Sequence, residues 1–406
     1  MSLVVAEDRT HDPDATILPA QFRDTILLDV IHDGDWIPEE FTRNEEGELI
    51  PEEAFLDAYY YERDWGASLV AGEIASFLGL PGHYSVNVAR VLMDFGRFPG
   101  PTPKDADHLH RFALNYPFSK LLSYKQKKRV LEVYYDEISQ IMENAISGKD
   151  IKIAIHTYDT YNKSGTIRPH LSLLTRSFGY QNENEMPYGV FDPLYPDVLA
   201  EFTCDRVLRD RISLTLEKIG VPVAHNYPYL LPDGSVEMRS QVWLFFLKLR
   251  EEFEARYPET KESYPYQMVW DMLLDTNLRS AKSEKLRSFF HYYRRIDEEF
   301  ETHFNDAASA YIKIRQFLEH EIPHFVDRFR FSQTRTSALG IEIRKDLVWH
   351  FDEMGTPVGP RLDNIRIIGK HVAQAIYVYL TEDRAAVNRP TSALTPYERK
   401  PLEQPS

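Results

Sequence analysis

Two histidines, a late glutamate and a small group of arginines and aspartates are the residues of this chain whose types and spacing can do chemistry. His32 follows the apolar run Thr25 to Ile31 and opens the polar turn His32-Asp33-Gly34-Asp35. His32 and Asp35 stand three apart, a spacing that lets an imidazole and a carboxylate reach one metal ion from a tight turn. The same residues also suit a strand cap and an ordinary Asp-Gly turn, because H-x-x-D is a weak motif by itself. His156 repeats the theme, at the end of the short strand-like run Ile151 to Ile155, apolar except Lys152. Arg90, Asp94 and Arg97 can form an anion clamp whose orientation the aspartate fixes. Read as a surface ion-pair cluster, they would contribute only about 0–1 kcal/mol. Glu342 lies in a late alternating stretch, where a carboxylate beside a metal can serve as general base.

These groups need a scaffold that brings distant segments together. The run Thr25 to Ile31 is apolar throughout except Asp29, the pattern of a strand buried on both faces of a sheet. Such strands deliver functional groups at their C-terminal ends. Helices are expected over Ala67 to Leu78, stopped by Gly79, and over Ser123 to Ser147, stopped by Gly148. A second strand is expected across Val86 to Met93. Strands separated by helices fit right-handed β-α-β crossovers in one sheet, which would point the ends bearing His32 and His156 the same way. That recurrence carries the metal-site reading further than either histidine does. Further helices are expected over Asp205 to Lys218 and Gly369 to Tyr379, with an irregular segment at Val221 to Tyr229. In Ser337 to Val348, alternation puts Glu342, Arg344 and Asp346 on one strand face, a pattern that a solvent-facing edge strand shares.

The expected organisation is an α/β domain, with a mixed central sheet flanked by helices, over 23–240 and 331–385. An irregular lead-in covers 1–22, a helical, aromatic and highly charged insertion covers 241–330, and a proline-bearing tail covers 386–406. The chain has 406 residues, 43% hydrophobic and 27% charged, which is ordinary globular composition. Its formal net charge of −16 argues against nucleic acid or an anionic membrane surface as a general partner. No apolar run approaches the ~20 residues of a membrane helix, and the acidic start lacks the plan of a signal peptide. The one cysteine, Cys204, excludes an internal disulfide and a cysteine-based zinc site, and fits a reducing, cytoplasmic setting. A metal held here must therefore use His, Asp or Glu, a ligand set more often catalytic than structural.

Taken in order, six segments resemble the N-formylglutamate amidohydrolase family, metal-dependent amide hydrolases with a fold similar to zinc carboxypeptidases and aspartoacylase. Asp29 to Pro38 is similar to its first strand and H-x-G-x-x-x-P turn, and Asp64-Trp65-Gly66-Ala67 to its D-x-G-A helix start. Arg90 to Arg97 is similar to its R-x-x-x-D-x-N-R segment, and Ile155 to Tyr158 to its second histidine strand. Asn226-Tyr227-Pro228-Tyr229 matches N-x-P-Y, and Glu342 to Leu347 matches E-I-R-x-D-L. The resemblance covers about 25–100, 150–235 and 335–380, and leaves 241–330 without a counterpart. It departs at Gly96, where the family carries an asparagine that would help hold a substrate carboxylate.

The resemblance implies one zinc ion held by His32, His156 and a carboxylate. Asp35 is preferred by analogy with the related H-x-x-E pattern, and Asp64 competes with it. It further implies Glu342 as general base and Arg90 as oxyanion stabiliser. Arg97 would bind the carboxylate of a small N-acyl amino acid, with Asn226, Tyr229 and Arg344 as further pocket residues. The departure at Gly96 keeps a different N-acyl amino acid or peptide-like metabolite open as substrate. A non-catalytic binding protein that keeps the fold is the competing class.

Overall fold

The structure is a computed structural model, and it describes residues 3–6, 17–97, 113–176, 191–232, 234–292, 298–332 and 335–384. The tail from 386, most of the lead-in and the proline-rich loop at 99–107 lie outside the described residues. Seven strands form one sheet: β1 (Val4–Ala6), β2 (Ile26–Val30), β3 (Tyr84–Val86), β4 (Ile151–Tyr158), β5 (Leu171–Leu174), β6 (Val223–His225) and β7 (Ser337–Arg344). Their spatial order is β1-β3-β2-β4-β7-β5-β6. β3, β2, β4 and β7 run parallel to one another, β1 pairs antiparallel with β3, and β5 pairs antiparallel with β7. The sheet is therefore mixed and mostly parallel.

Period-2 alternation divides this sheet into two chemically different faces. Ile26, Leu28 and Val30 of β2, Ile151, Ile153 and Ile155 of β4, and Leu339, Ile341 and Ile343 of β7 join one apolar cluster. Helices Ala67–Leu78, Arg206–Glu217 and Leu362–Val378 cover that face. The intervening residues Asp29, Lys152, His156 and Glu342 fall on the opposite face, which is polar along its centre. The register sets Asp29 beside Ala154 and His156 beside Glu342.

Several expectations are adjusted. The strand expected over Val86 to Met93 is short, ending at Val86, and the chain continues through isolated bridges at Val88 and Met93. β7 is a central strand between β4 and β5, not a solvent-facing edge, and it ends at Arg344, so Asp346 sits in a following helical turn. The helix expected over Ser123 to Ser147 spans Tyr124 to Ile146 with a wider turn at Val130–Tyr135. The late helix starts earlier than expected, at Leu362, and part of the irregular 221–229 segment is the edge strand β6.

The aromatic region folds as helices Val236–Arg256, Tyr264–Leu274, Ala281–Tyr292, Glu298–Gln316 and Phe325–Arg330, around an apolar cluster of their own. That cluster also takes in Phe191, Tyr195 and Leu199. Its first helix lies against the polar sheet face. There Glu237 contacts Lys152, and the Gln241 side-chain amide donates to the Thr336 carbonyl at 2.6 Å.

Candidate metal centre

β2 and β4 are adjacent and parallel, so the residues at their C-terminal ends converge as expected. The His32 and His156 ring centroids are 5.1 Å apart. The turn after β2 runs beside the chain that follows β3: the Trp36 amide donates to the Asn87 carbonyl at 2.9 Å. A Cβ on Gly34 would lie 2.3 Å from the Val86 carbonyl oxygen, so only glycine lets the two backbones pass this closely.

The carboxylate that joins the histidines is Asp64, from the segment preceding helix Ala67–Leu78. Two links hold that segment against the turn: the Asp64 amide donates to the His32 carbonyl at 3.0 Å, and Asp33 accepts from the Ser68 amide at 3.0 Å and from Arg63 Nε at 2.8 Å. Asp64 Oδ2 faces both imidazoles, 2.9 Å from His156 Nδ1 and 3.6 Å from His32 Nδ1. One ligand atom from each of His32, Asp64 and His156 fits within a 4.8 Å cluster. Asp35, the carboxylate preferred by analogy with the H-x-x-E pattern, is not part of it. Its side chain is 65% exposed and faces Arg63 at 3.6 Å. The spacing argument fails because the turn carries Asp35 outward, while the helix start supplies Asp64 from inside.

Around this core lies a shell of charge. Asp94, 1% exposed, accepts from His32 Nε2 at 2.8 Å and from the Gly96 amide at 2.9 Å. A hydrogen on Nε2 bonded to Asp94 is the tautomer that leaves His32 Nδ1 free to act as a metal ligand. Arg90 reaches Asp64 Oδ1 at 3.2 Å, Asp94 Oδ2 at 3.2 Å and the Glu62 carbonyl at 3.2 Å. Its fork therefore occupies one oxygen of Asp64 and leaves the other to the imidazoles. Arg97, half exposed, bridges Asp94 at 3.2 Å and Asn115 at 3.0 Å, and Asn115 in turn donates to the Arg90 carbonyl at 2.7 Å. The His32–Asp94 contact and the part of Asn115 escaped the sequence reading, since neither has a spacing signature.

Burial would raise Asp64 and Asp94. The His156 hydrogen bond and the Arg90 charge hold Asp64 well below the usual carboxylate range, and the Arg90 charge does the same for Asp94. For His156, burial opposes protonation, yet the Asp64 hydrogen bond and the Glu342 charge raise it to about 9. His156 must give up that proton to act as a ligand.

Glu342 stands beside His156 across the parallel β4–β7 ladder and is 7% exposed. Its Oε1 accepts from the Tyr229 hydroxyl at 2.5 Å, while Oε2 is buried without a partner among the described residues. Burial pushes this carboxyl up, against the lowering effect of the nearby His156 charge. The remaining expected pocket residues are engaged elsewhere. Asn226, at φ 52°, accepts the Thr175 and Arg176 amides on Oδ1, a turn-building role. Arg344 pairs with Asp346 at 2.7 Å. At Gly96 a Cβ would press on the centre, 3.1 Å from His32 Cε1 and 3.2 Å from Asp94 Oδ1.

Among solved structures, the chain is similar to an N-formylglutamate amidohydrolase from Ralstonia eutropha JMP134, at 14% identity and a TM-score of 0.46, over 94% of this chain and 100% of that one. It is also similar to a gene product of Agrobacterium tumefaciens, at 13% identity and a TM-score of 0.40, over 95% and 96% of the two chains. No protein-family model matches the chain, and no curated protein matches it by sequence.

Proposed function

We propose that this protein is a metal-dependent amidohydrolase of zinc carboxypeptidase-like architecture, cleaving the amide of a small N-acyl amino acid such as N-formylglutamate. The observation that carries the reading is the juxtaposition of the His32–Asp64–His156 donor cluster with Glu342, whose Oε2 is buried and unpartnered. Two imidazole nitrogens and a carboxylate oxygen suit zinc and leave a coordination position open. When bound, zinc supplies an acidified water and Lewis-acid polarisation of the scissile carbonyl.

The chain's own residues do the rest. Glu342 Oε2 takes the water proton and returns it to the leaving amine. The Tyr229 hydroxyl holds Oε1, which fixes the carboxylate plane and favours its ionised form. Asp94 orients His32, and Arg90 orients both Asp64 and Asp94, so Arg90 acts as a positioning residue before any part in oxyanion stabilisation. Arg97, at the exposed rim, binds the substrate carboxylate. A different N-acyl amino acid is the second reading. Gly96 favours it, because this chain has no side-chain amide at the position where the resembling family carries one.

Hydrolysis of a panel of N-formyl and N-acyl amino acids, followed by release of free amine, tests the proposal. Activity should vanish on chelation and return with zinc. Glu342→Gln should lower turnover by about 100-fold or more with metal content unchanged. Activity that survives complete demetallation would overturn the reading.

A further inference from the structure

A cavity of about 460 Å³ opens at the end of the sheet opposite the candidate metal centre. Asp150, Thr336 and Ser337 line it, at the N-terminal ends of β4 and β7, whereas His156 and Glu342 lie toward the C-terminal ends of those strands. Five residues of strand, roughly 17 Å, separate Ile151 from His156. The cavity is thus distinct from the metal centre.

Its chemistry is set by one ring and three guanidinium groups. Arg330, Arg206 and Arg335 lie 4.8, 5.2 and 5.6 Å from the centre of the Phe202 ring. Like charges gathered in this way need a counter-anion. The chain supplies little. Glu201, itself 55% exposed, reaches Arg330 at 3.4 Å. Arg206 has no carboxylate within ion-pair reach among the described residues.

Arg335 is 8% exposed, and its contacts are neutral: Gln241 Oε1 at 2.6 Å and the carbonyls of Phe202 and Leu199 at 2.9 and 3.1 Å. Burial pulls its guanidinium below the ordinary value, and the Arg330 charge adds to this. Arg330 Nε is buried without a partner among the described residues. The cavity's acids are already engaged. Asp150 pairs with Arg384 and Asp383 with Arg211, each at 2.7 Å, and Asp205 accepts the Val207 amide at 2.8 Å and the Tyr379 hydroxyl at 2.9 Å. Phe331, 72% exposed, adds an apolar wall.

We propose that this cavity binds a small organic anion, with its phosphoryl or carboxylate group held by Arg206, Arg330 and Arg335 and its apolar body against Phe202 and Phe331. Guanidinium forks match both oxyanions. The volume lies in the range of small-molecule sites and exceeds what an inorganic ion fills.

Calorimetric titration of the full chain tests this, with phenyl phosphate, benzoate, inorganic phosphate and neutral benzyl alcohol as probes. Saturable binding is expected for phenyl phosphate or benzoate, and their relative affinities tell the phosphoryl from the carboxylate source. Benzyl alcohol should not bind. Arg330→Gln should weaken binding by about tenfold or more, the loss of one charge-assisted contact. Arg206→Gln, at an exposed position, should do the same and covers the case in which the first variant fails to fold. His156→Ala should leave binding unchanged. The proposal is overturned by no saturable binding to the parent chain, by undiminished binding in the arginine variants that fold, or by loss of binding in His156→Ala, which would move the anion to the metal centre.

Discussion

Asp64 and Asp94 hold different positions in the candidate metal centre. Asp64 offers one oxygen inward and gives the other to Arg90, while Asp94 spends its oxygens on His32, the Gly96 amide, Arg90 and Arg97. Removing a ligand and removing its support should therefore differ in degree. Asp64→Asn should abolish stoichiometric zinc in a metal-content assay, Asp94→Ala should weaken zinc by about 10–100-fold, and Asp35→Asn should leave it unchanged. Zinc loss in Asp35→Asn equal to that in Asp64→Asn would contradict the assignment.

Tyr229 makes a second residue-scale prediction. Its hydrogen bond favours the ionised form of Glu342, a group that burial already pushes up. In Tyr229→Phe, Glu342 should hold its proton to higher pH. A base must be deprotonated to act, so the acidic limb of the pH–rate profile should move to higher pH, and an unmoved limb would remove Tyr229 from this role. Neither assignment could be read from spacing. The sequence reading prefers Asp35 over Asp64, whereas the exposure of Asp35 and the hydrogen bond from the Asp64 amide to the His32 carbonyl show which of them lies inside.

At the scale of elements, the helix Val236–Arg256 is joined to the sheet by a buried charge triad. Lys152 lies 2.9 Å from Asp29 and also contacts Glu237, with the Lys152 and Asp29 side chains at zero exposure and Glu237 at 3%. Breaking such a group leaves uncompensated buried charge, so Lys152→Met should cost about 3–5 kcal/mol in denaturant unfolding. Replacing all three residues by apolar ones of similar volume should recover most of that loss.

The triad also gives a pH dependence. Burial would raise Glu237, but the Lys152 charge and hydrogen bond hold it down at about 2, below its unfolded value of 4.5. Its contribution is therefore fully present above about pH 4.5 and declines as pH falls toward 2. Burial raises Asp29, whose contribution runs the other way. Glu237→Gln should flatten the acid side of the stability curve, and an unchanged curve would show that Glu237 is not held down. The strands themselves were legible: the runs at Ile26–Val30 and Ile151–Ile155 are apolar enough to be central, and a histidine follows each, His32 after Ile31 and His156 directly. Lys152 and Asp29 interrupt those runs, and their pairing across β2 and β4 needed the register to be seen.

For the whole molecule, a net charge of −16 is the dominant long-range property. Duplex DNA should not bind at physiological salt, because repulsion removes the counterion-release gain that drives such association. Fluorescence anisotropy of a labelled duplex checks this, and a salt-sensitive rise would overturn it. Against this background the Phe202 cavity is an exception, a local cluster of guanidinium groups on an acidic protein. Composition sums over the surface, so the total charge hides such a cluster.

By itself the sequence determined the mixed α/β class, the two strands that lead to histidines, the helical character of the region from Gln241 and the placement of Glu342 late in the chain. Those features rest on local periodicity and on residue type, which need no partner to be read. Tertiary structure decided which carboxylate joins the histidines, that β7 is central, that Asn226 and Arg344 are engaged elsewhere, and that three arginines surround one phenylalanine. Each depends on contacts between residues far apart in the chain, set by strand order and register, and neither order nor register is encoded in the spacing of any single segment.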